Sequence, residues 1–475
     1  MKKKAVILLL LIFILPVFIQ GQTTGKQLTG EQKKWLSKAN RHEKNGWIYL
    51  HIEGTPRERG FQHGYLMAKD IKESIRVLSE VWYYQSAINW QWLVEEAGKM
   101  FTPKVDPENL EEIDGIVEGM KVAGVTTTRD EIVTFNGNAE IIGYWWPTVK
   151  DSIAPNSPTP IKESCSSFIA TGSMTVDGDI VLGHNTMCPY YIPQHNIILD
   201  ILPQKGNRIL MQSMAGYIHS GTDFFVTSAG LVGSETTIAA FFPFDKNGIT
   251  EFSRMRHATQ YASSIDEWCE MMKKGNNGGY ANAWLIGDTK TNEIARLELG
   301  LKYIGFEKKK DGYFVGSNVP EDLRILRFET KFGRETNIKN NCISRRVRWK
   351  QLMKEYKGQI DLERAKMFES DHFDTYLNKV NSGERALCPH FDLESEGQTP
   401  FIGEPFFPGG AVDGKVVNSK MAKEMSFIAR WGNACGTPFN AKAFLEKHPQ
   451  YEWMTGVLKD RPTQPWTIFK AGESK

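Results

Sequence analysis

The spacing of apolar residues changes near residue 165. From Thr29 to about Trp146 the pattern is mainly helical. Between Arg57 and Trp82 the residues Phe61, Tyr65, Leu66, Ile71, Ile75, Leu78 and Val81 recur at roughly helical spacing, which predicts an amphipathic helix. Thr29 and Glu31 open a shorter amphipathic run, and further helices are expected over Pro107–Val122 and Arg129–Ile142. Pro147 to Pro160 carries four prolines, several polar residues and no apolar period, so it reads as a linker.

From Cys165 to Val319 short runs rich in β-formers alternate with Gly, Asp, Asn or Pro turns. They fall at Phe168–Thr171, Asp179–Leu182, Ile197–Leu202, Ile209–Ser213, Phe224–Ser228 and Ile238–Phe242. A helix over Ser263–Lys274 interrupts them, and strands resume at Ala283–Asp288, Ile294–Leu299 and Tyr313–Ser317. The charged run Glu307 to Asp311 reads as a solvated hairpin turn. Asp322–Phe328, Ser344–Tyr356 and Leu362–Glu369 read as helices, and the stretch from Leu387 as irregular wrapping with a short helix at Ala441–Lys447. Strands, a helix and strands again point to a layered α+β core.

Composition narrows the setting. A hydrophobic content of 41% is ample for one large domain or two of ordinary size. Lys2, Lys3 and Lys4 precede an apolar run from Ala5 to Ile19, the pattern of a signal peptide ending near Gly21, with a retained amino-terminal anchor as the competing possibility. Removing those lysines takes the formal charge from +2 to −1, so bulk electrostatics ask for neither nucleic acid nor an anionic membrane surface. Export to a periplasmic or extracellular space is expected, with no stable membrane span after processing. The six cysteines are too widely spaced for a small disulfide scaffold or a CxxC zinc site.

Cys165 opens the first strand behind the linker. Cutting the Ser164–Cys165 bond would give it a free α-amino group, whose reference pKa of roughly 7.7 to 8.0 suits it to take a thiol proton. The alternative is a half-buried structural cysteine. Four stretches decide between them. GTPRERGFQHG (Gly54 to Gly64), SCSSF with GHNT (Gly183 to Thr186), AGYIHSGTDFFVTSAGLVGSETTIA (Ala215 to Ala239) and GGYANAWLIGD (Gly278 to Asp288) occur in order. Together they resemble the autoprocessing acyltransferase and amidase group of the N-terminal nucleophile hydrolases, and within it the phospholipase B-like proteins.

That resemblance implies a four-layer αββα sandwich with a helical amino-terminal prosegment. Its parts would be a signal peptide (1–21), a prosegment (22–164) and a catalytic chain (165–475). It also implies self-cleavage between Ser164 and Cys165, and hydrolysis of acyl amides or acyl esters in a lipid or other small molecule, with acyl transfer to an amine as an alternative. A non-catalytic ligand-binding protein that never matures is the alternative of another class. By resemblance Cys165 is the nucleophile, Asn282 the oxyanion donor, and His184 and Asn185 pocket residues. The site arginine has Arg296 and Arg324 as candidates. Met187 and Thr222 depart from the family pattern, which touches the acyl pocket. From the residues alone, Asn282 also fits a turn after Gly278 and Gly279, Asn185 a cap or turn, and His184 a hydrogen-bonded structural histidine. Glu235 stays outside the expected catalytic set.

No metal or organic cofactor is implied. Cys388, His390 and Asp392 form a CPHFD cluster, but a zinc site needs further ligands at recognisable spacing, so the cluster is set aside. The prosegment is expected to stay with the catalytic chain, because its apolar helix face would otherwise be exposed.

Overall fold

The computed structural model describes residues 27–158, 164–192, 196–221, 224–397 and 403–473. The expected signal segment, residues 159–163 of the chain before Ser164, and Thr222 of the SGTDF stretch lie outside the described residues.

Two sheets form the centre. The first has the spatial order β1 (Asn40–Lys44), β2 (Trp47–Gly54), β5 (Ile197–Pro203), β6 (Ile209–Ser213), β7 (Phe224–Thr227), β8 (Leu231–Thr237), β9 (Asn282–Asp288), β10 (Glu293–Leu299) and β11 (Ile304–Lys309). The second runs β12 (Gly312–Gly316), β3 (Ser164–Thr171), β4 (Val181–Pro189), β16 (Asp413–Asn418), β17 (Ser426–Trp431) and β18 (Thr467–Lys470), with β15 (Gly409–Ala411) also on β4. A small ribbon pairs β13 (Phe373–Asp374) with β14 (Lys379–Val380).

Side-chain alternation sorts the residues into layers. Ile197, Leu199 and Ile201 of β5 face helices and pack with Ile71, Ile75, Ile113 and Ile116. Ile198 between them faces the other sheet. It joins Leu210, Val232 and Leu285 from the first sheet and Ile169, Leu182, Val417 and Phe427 from the second. On the far side of the second sheet, Phe168, Val416 and Ile428 pack with Trp349, Leu352 and Phe368 from the helices Asn341–Glu355 and Leu362–Glu369. The order is helix, sheet, sheet, helix, the four-layer α+β arrangement that the family resemblance implies. Each fully buried side chain of these layers contributes roughly 1.5–3 kcal/mol.

Several elements differ from expectation. The amino-terminal segment is not only helical, because β2 pairs in parallel with β5 and so belongs to the first sheet. The long helix divides at Met67 into Pro56–Leu66 and Ala68–Ser86. Within the expected linker, Trp146–Ile153 is helical, with Pro147 in the first turn, where its missing N–H costs nothing. The strand expected at Ile238–Phe242 lies instead at Leu231–Thr237. Ala240 beyond it is left-handed (φ 54°) and breaks the extended run. Glu307 to Lys309 belong to β11, and the chain then crosses to β12 in the other sheet, so the charged run is no hairpin. The carboxy-terminal part adds four strands to the second sheet. Burial of Lys415 and Asp413 within β16 interrupts its apolar pattern, which is why that strand reads as part of the irregular wrapping.

The GTPRERGFQHG stretch is a device for packing helices. Thr55 and Glu58 form a reciprocal capping box with Pro56 at the first helical position. Arg59 donates to Glu112 (2.8 Å), and Gln62 bonds both the N–H and the carbonyl of Glu53. His63 is neutral, burial holding its pKa down to about 4, and its Nε2 accepts the N–H of Gly216 (2.9 Å). Gly60 and Gly64 let this helix touch the helix Pro107–Val122. A Cβ at Gly64 would stand 2.1 Å from the carbonyl oxygen of Ile116.

Candidate active site

Cys165 is the second residue of β3, a strand buried along its whole length. The β3–β4 hairpin sets Cys165 opposite Thr186, Ser166 opposite Asn185 and Ser167 opposite His184. His184 and Asn185 thus lie within a strand rather than beyond its end. Two ties hold this hairpin to the first sheet. Ser167 and Ser234 share a hydrogen bond of 2.7 Å, and His184 Nε2 donates to the carbonyl of Glu235 (3.0 Å). Burial and the nearby Lys415 push the His184 pKa well below its usual value, so the ring is neutral and Nε2 carries its hydrogen.

These ties bring Glu235 to the thiol. Cys165, 1% exposed, points its Sγ at Glu235 Oε1 over 3.7 Å. Tyr280 donates its hydroxyl to the same oxygen (2.9 Å) from a left-handed backbone (φ 52°), a conformation uncommon for a bulky residue and one that clusters at functional sites. Glu235 is therefore a site residue that sequence reasoning left out. Its signal was available, since an acidic residue within the strand-forming GLVGSETTI is costly to bury without a partner.

Asn282 begins β9 opposite Thr237, two residues along β8 from Glu235. It is completely buried, and neither its Nδ2 nor its Oδ1 has a hydrogen-bond partner among the described residues. An unsatisfied buried amide costs roughly 1–3 kcal/mol, an expense a structural turn residue would avoid. Asn185 differs, because its Nδ2 donates to the carbonyls of Glu369 (2.6 Å) and Leu387 (3.1 Å). It ties β4 to the helical layer.

Among the described residues, the arginine that bonds Cys165 is Arg345, and both expected candidates lie elsewhere. Arg296 pairs with Glu298 and Glu307, and the exposed Arg324 pairs with Asp322. Arg345, on the helix Asn341–Glu355, donates Nη1 to the Cys165 carbonyl (2.8 Å) and Nη2 to Asn318 Oδ1 (2.7 Å). One turn on, Trp349 Nε1 donates to Ser166 Oγ (2.8 Å). The i, i+4 pair of a buried arginine and a buried tryptophan is the available signal for this helix face.

Beside the hairpin lies a buried polar network. Lys415 reaches Asp413 (2.9 Å) and Thr186 Oγ1 (2.8 Å), while Asp413 accepts from the Thr186 amide (3.0 Å) and from Gln212 (2.7 Å). It fixes the strand position that faces Cys165.

Among known proteins, a phospholipase B-like 2 protein of Bos taurus is 35% identical over 343 residues, 62% of this chain and 55% of its own. The mouse phospholipase B-like 2 protein is 26% identical over 311 residues, 57% of this chain and 52% of its own. Phospholipase B-like protein C of Dictyostelium discoideum is 26% identical over 239 residues, 45% and 41% respectively. The chain thus spans about half the length of the curated relatives it matches. Among solved structures, a variant of conjugated bile acid hydrolase from Clostridium perfringens aligns at 11% identity with a TM-score of 0.28, covering 57% of this chain and 81% of that one. The phospholipase B family model matches residues 31–304, which contain Cys165, His184, Glu235 and Asn282 and stop short of Arg345. With a match over more than half its length, running from the first helix through β10 to the start of β11, this chain belongs to the phospholipase B family.

Proposed function

We propose that this protein is an exported, self-processing cysteine hydrolase that cleaves acyl-amide or acyl-ester bonds. The observation that carries the proposal is the Cys165 thiol at the head of a buried strand, 3.7 Å from a carboxylate oxygen of Glu235. In the precursor, Sγ attacks the Ser164 carbonyl carbon. The thiol proton passes by way of Glu235 to the departing nitrogen of Cys165, the C–N bond breaks and a thioester joins Ser164 to the sulfur. Water then hydrolyses the thioester, leaving a carboxylate on Ser164 and a free thiol and amine on Cys165.

In the mature chain the α-amino group takes the thiol proton and returns it to the leaving group of the substrate, while the acyl group rests on sulfur until water releases it. Arg345 holds the Cys165 carbonyl, so the new chain end keeps its place in β3. Asn282 supplies an amide N–H₂ not committed elsewhere, as an oxyanion donor requires. Ser164 is buried opposite Met187, so its departure from β3 opens the surroundings of a thiol that is otherwise closed off.

Mass spectrometry of mature protein mixed with an acyl-amide or acyl-ester substrate tests this. An acyl adduct is expected on the peptide beginning with Cys165, and Asn282→Ala is expected to slow its formation by about 10²–10³-fold. An adduct on another residue, or unchanged acylation in Asn282→Ala, would count against these roles.

A further inference from the structure

Outside the matched span, four side chains from three separate stretches converge. Sγ of Cys388 and Cys435 and one ring nitrogen each of His372 and His390 all lie within 4.8 Å of one another. His372 follows the helix Leu362–Glu369, Cys388 and His390 precede β15, and Cys435 follows β17. The two further donors that CPHFD lacks are thus supplied by folding. Asp392 is not one of them; it faces the Tyr190 hydroxyl (3.4 Å).

We infer that these residues form a structural zinc site. Two sulfurs and two imidazole nitrogens at the corners of a compact group are the donor set and geometry that select zinc over harder cations. With bonds of 2.3 Å to sulfur and 2.0–2.1 Å to nitrogen, a tetrahedral site separates its donors by roughly 3.3–3.8 Å. An adjustment of about an ångström closes the group around the ion. Supporting contacts are already in place. Ser382 Oγ lies 3.3 Å from His372 Nδ1, orienting the ring, and His372 Nε2 is buried with no hydrogen-bond partner among the described residues. His390 Nε2 sits 3.4 Å from Cys435 Sγ. The Thr437 amide donates to the Cys435 sulfur (3.4 Å), and the Cys435 thiol donates to the Thr437 hydroxyl (3.2 Å), which would donate in turn to the thiolate, in a turn made possible by Gly436 at φ 87°. Donors of this kind stabilise a metal-bound thiolate.

A disulfide between Cys388 and Cys435 is the rival use of the sulfurs. It would leave both imidazoles aimed at the same point without a task. On binding zinc, each thiol releases its proton to solvent as its sulfur takes the metal. Four protein donors complete the shell, so the ion holds structure and does not bind substrate. What it holds is the chain that includes Leu387, beside Cys388, whose carbonyl anchors Asn185 of the β3–β4 hairpin.

The test is elemental analysis of the full-length exported protein, purified without chelator. Stoichiometric zinc is expected. Cys435→Ser and His372→Gln, both at partly exposed positions, should each lower zinc affinity by more than the roughly 10- to 100-fold that follows loss of a supporting hydrogen bond. Cobalt exchanged into the site should show the absorption of tetrahedral thiolate ligation, lost in Cys435→Ser. Protein that takes up no zinc under reducing conditions, or that carries a Cys388–Cys435 disulfide and no metal when isolated, would overturn the assignment. Neither result bears on Cys165 acylation.

Discussion

Arg345 donates a hydrogen bond from Nη1 to the carbonyl of Cys165 and one from Nη2 to Asn318 Oδ1, joining the helical layer to the head of β3. Asn318 in turn donates to the carbonyl of Thr237, the residue paired with Asn282. One side chain therefore positions both Cys165 and the strand that pairs with Asn282. Arg345→Lys keeps the charge but loses the planar fork. It is expected to slow both self-cleavage and acyl turnover by about 10- to 100-fold, the equivalent of one charge-assisted hydrogen bond of roughly 1.5–3 kcal/mol. Rates measured on a variant whose unfolding midpoint is near wild type check this.

Glu112 accepts from Arg59 (2.8 Å) and from Arg256 (3.0 Å), all three side chains being buried. Glu112 and Arg59 precede Ser164 whereas Arg256 follows it, so the triad spans the two chains that cleavage would create. Glu112→Ala leaves two arginines buried without their carboxylate and is expected to cost about 3–5 kcal/mol. Urea unfolding measures the loss, and the processed fragments should separate more readily on gel filtration. Gly64→Ala, which drives a Cβ against the Ile116 carbonyl, is an uncharged comparison expected to loosen the same contact.

Glu140 lies beneath the loop that carries Tyr280, accepting hydrogen bonds from the Glu251 amide and from Asn277. Burial pushes its pKa up to about 7. A carboxyl raised in the folded state keeps a proton that the unfolded chain gives up. Its contribution to stability is therefore lost as pH rises from about 4.5 to about 7 and stays lost above that, by at most about 3 kcal/mol. Glu140→Gln is expected to flatten the fall in stability across this interval. Denaturant unfolding at a series of pH values would show it, and parallel wild-type and variant curves would contradict it.

Cys165 and its hairpin partner are legible in the chain because strand, turn and strand are close in sequence and both strands are rich in β-formers. Asn282 is legible only through its motif, since an asparagine after two glycines suits a turn equally well. Arg345 is hidden because its helix comes 180 residues later and no local pattern ties it to Cys165. β2 is masked by the helices around it, and β16 by buried charges that satisfy each other only in the folded chain. Each omission concerns a residue whose partner lies far along the sequence.

The fate of the Ser164–Cys165 bond decides whether the chain processes itself. Intact mass and amino-terminal sequencing of the purified protein should find two associated chains, one ending at Ser164 and one beginning at Cys165, and Cys165→Ala should remain whole. With a signal cut after Gly21, the first chain begins at Gln22. A wild-type chain that stays unbroken under every maturation condition, acidic ones included, would contradict the account.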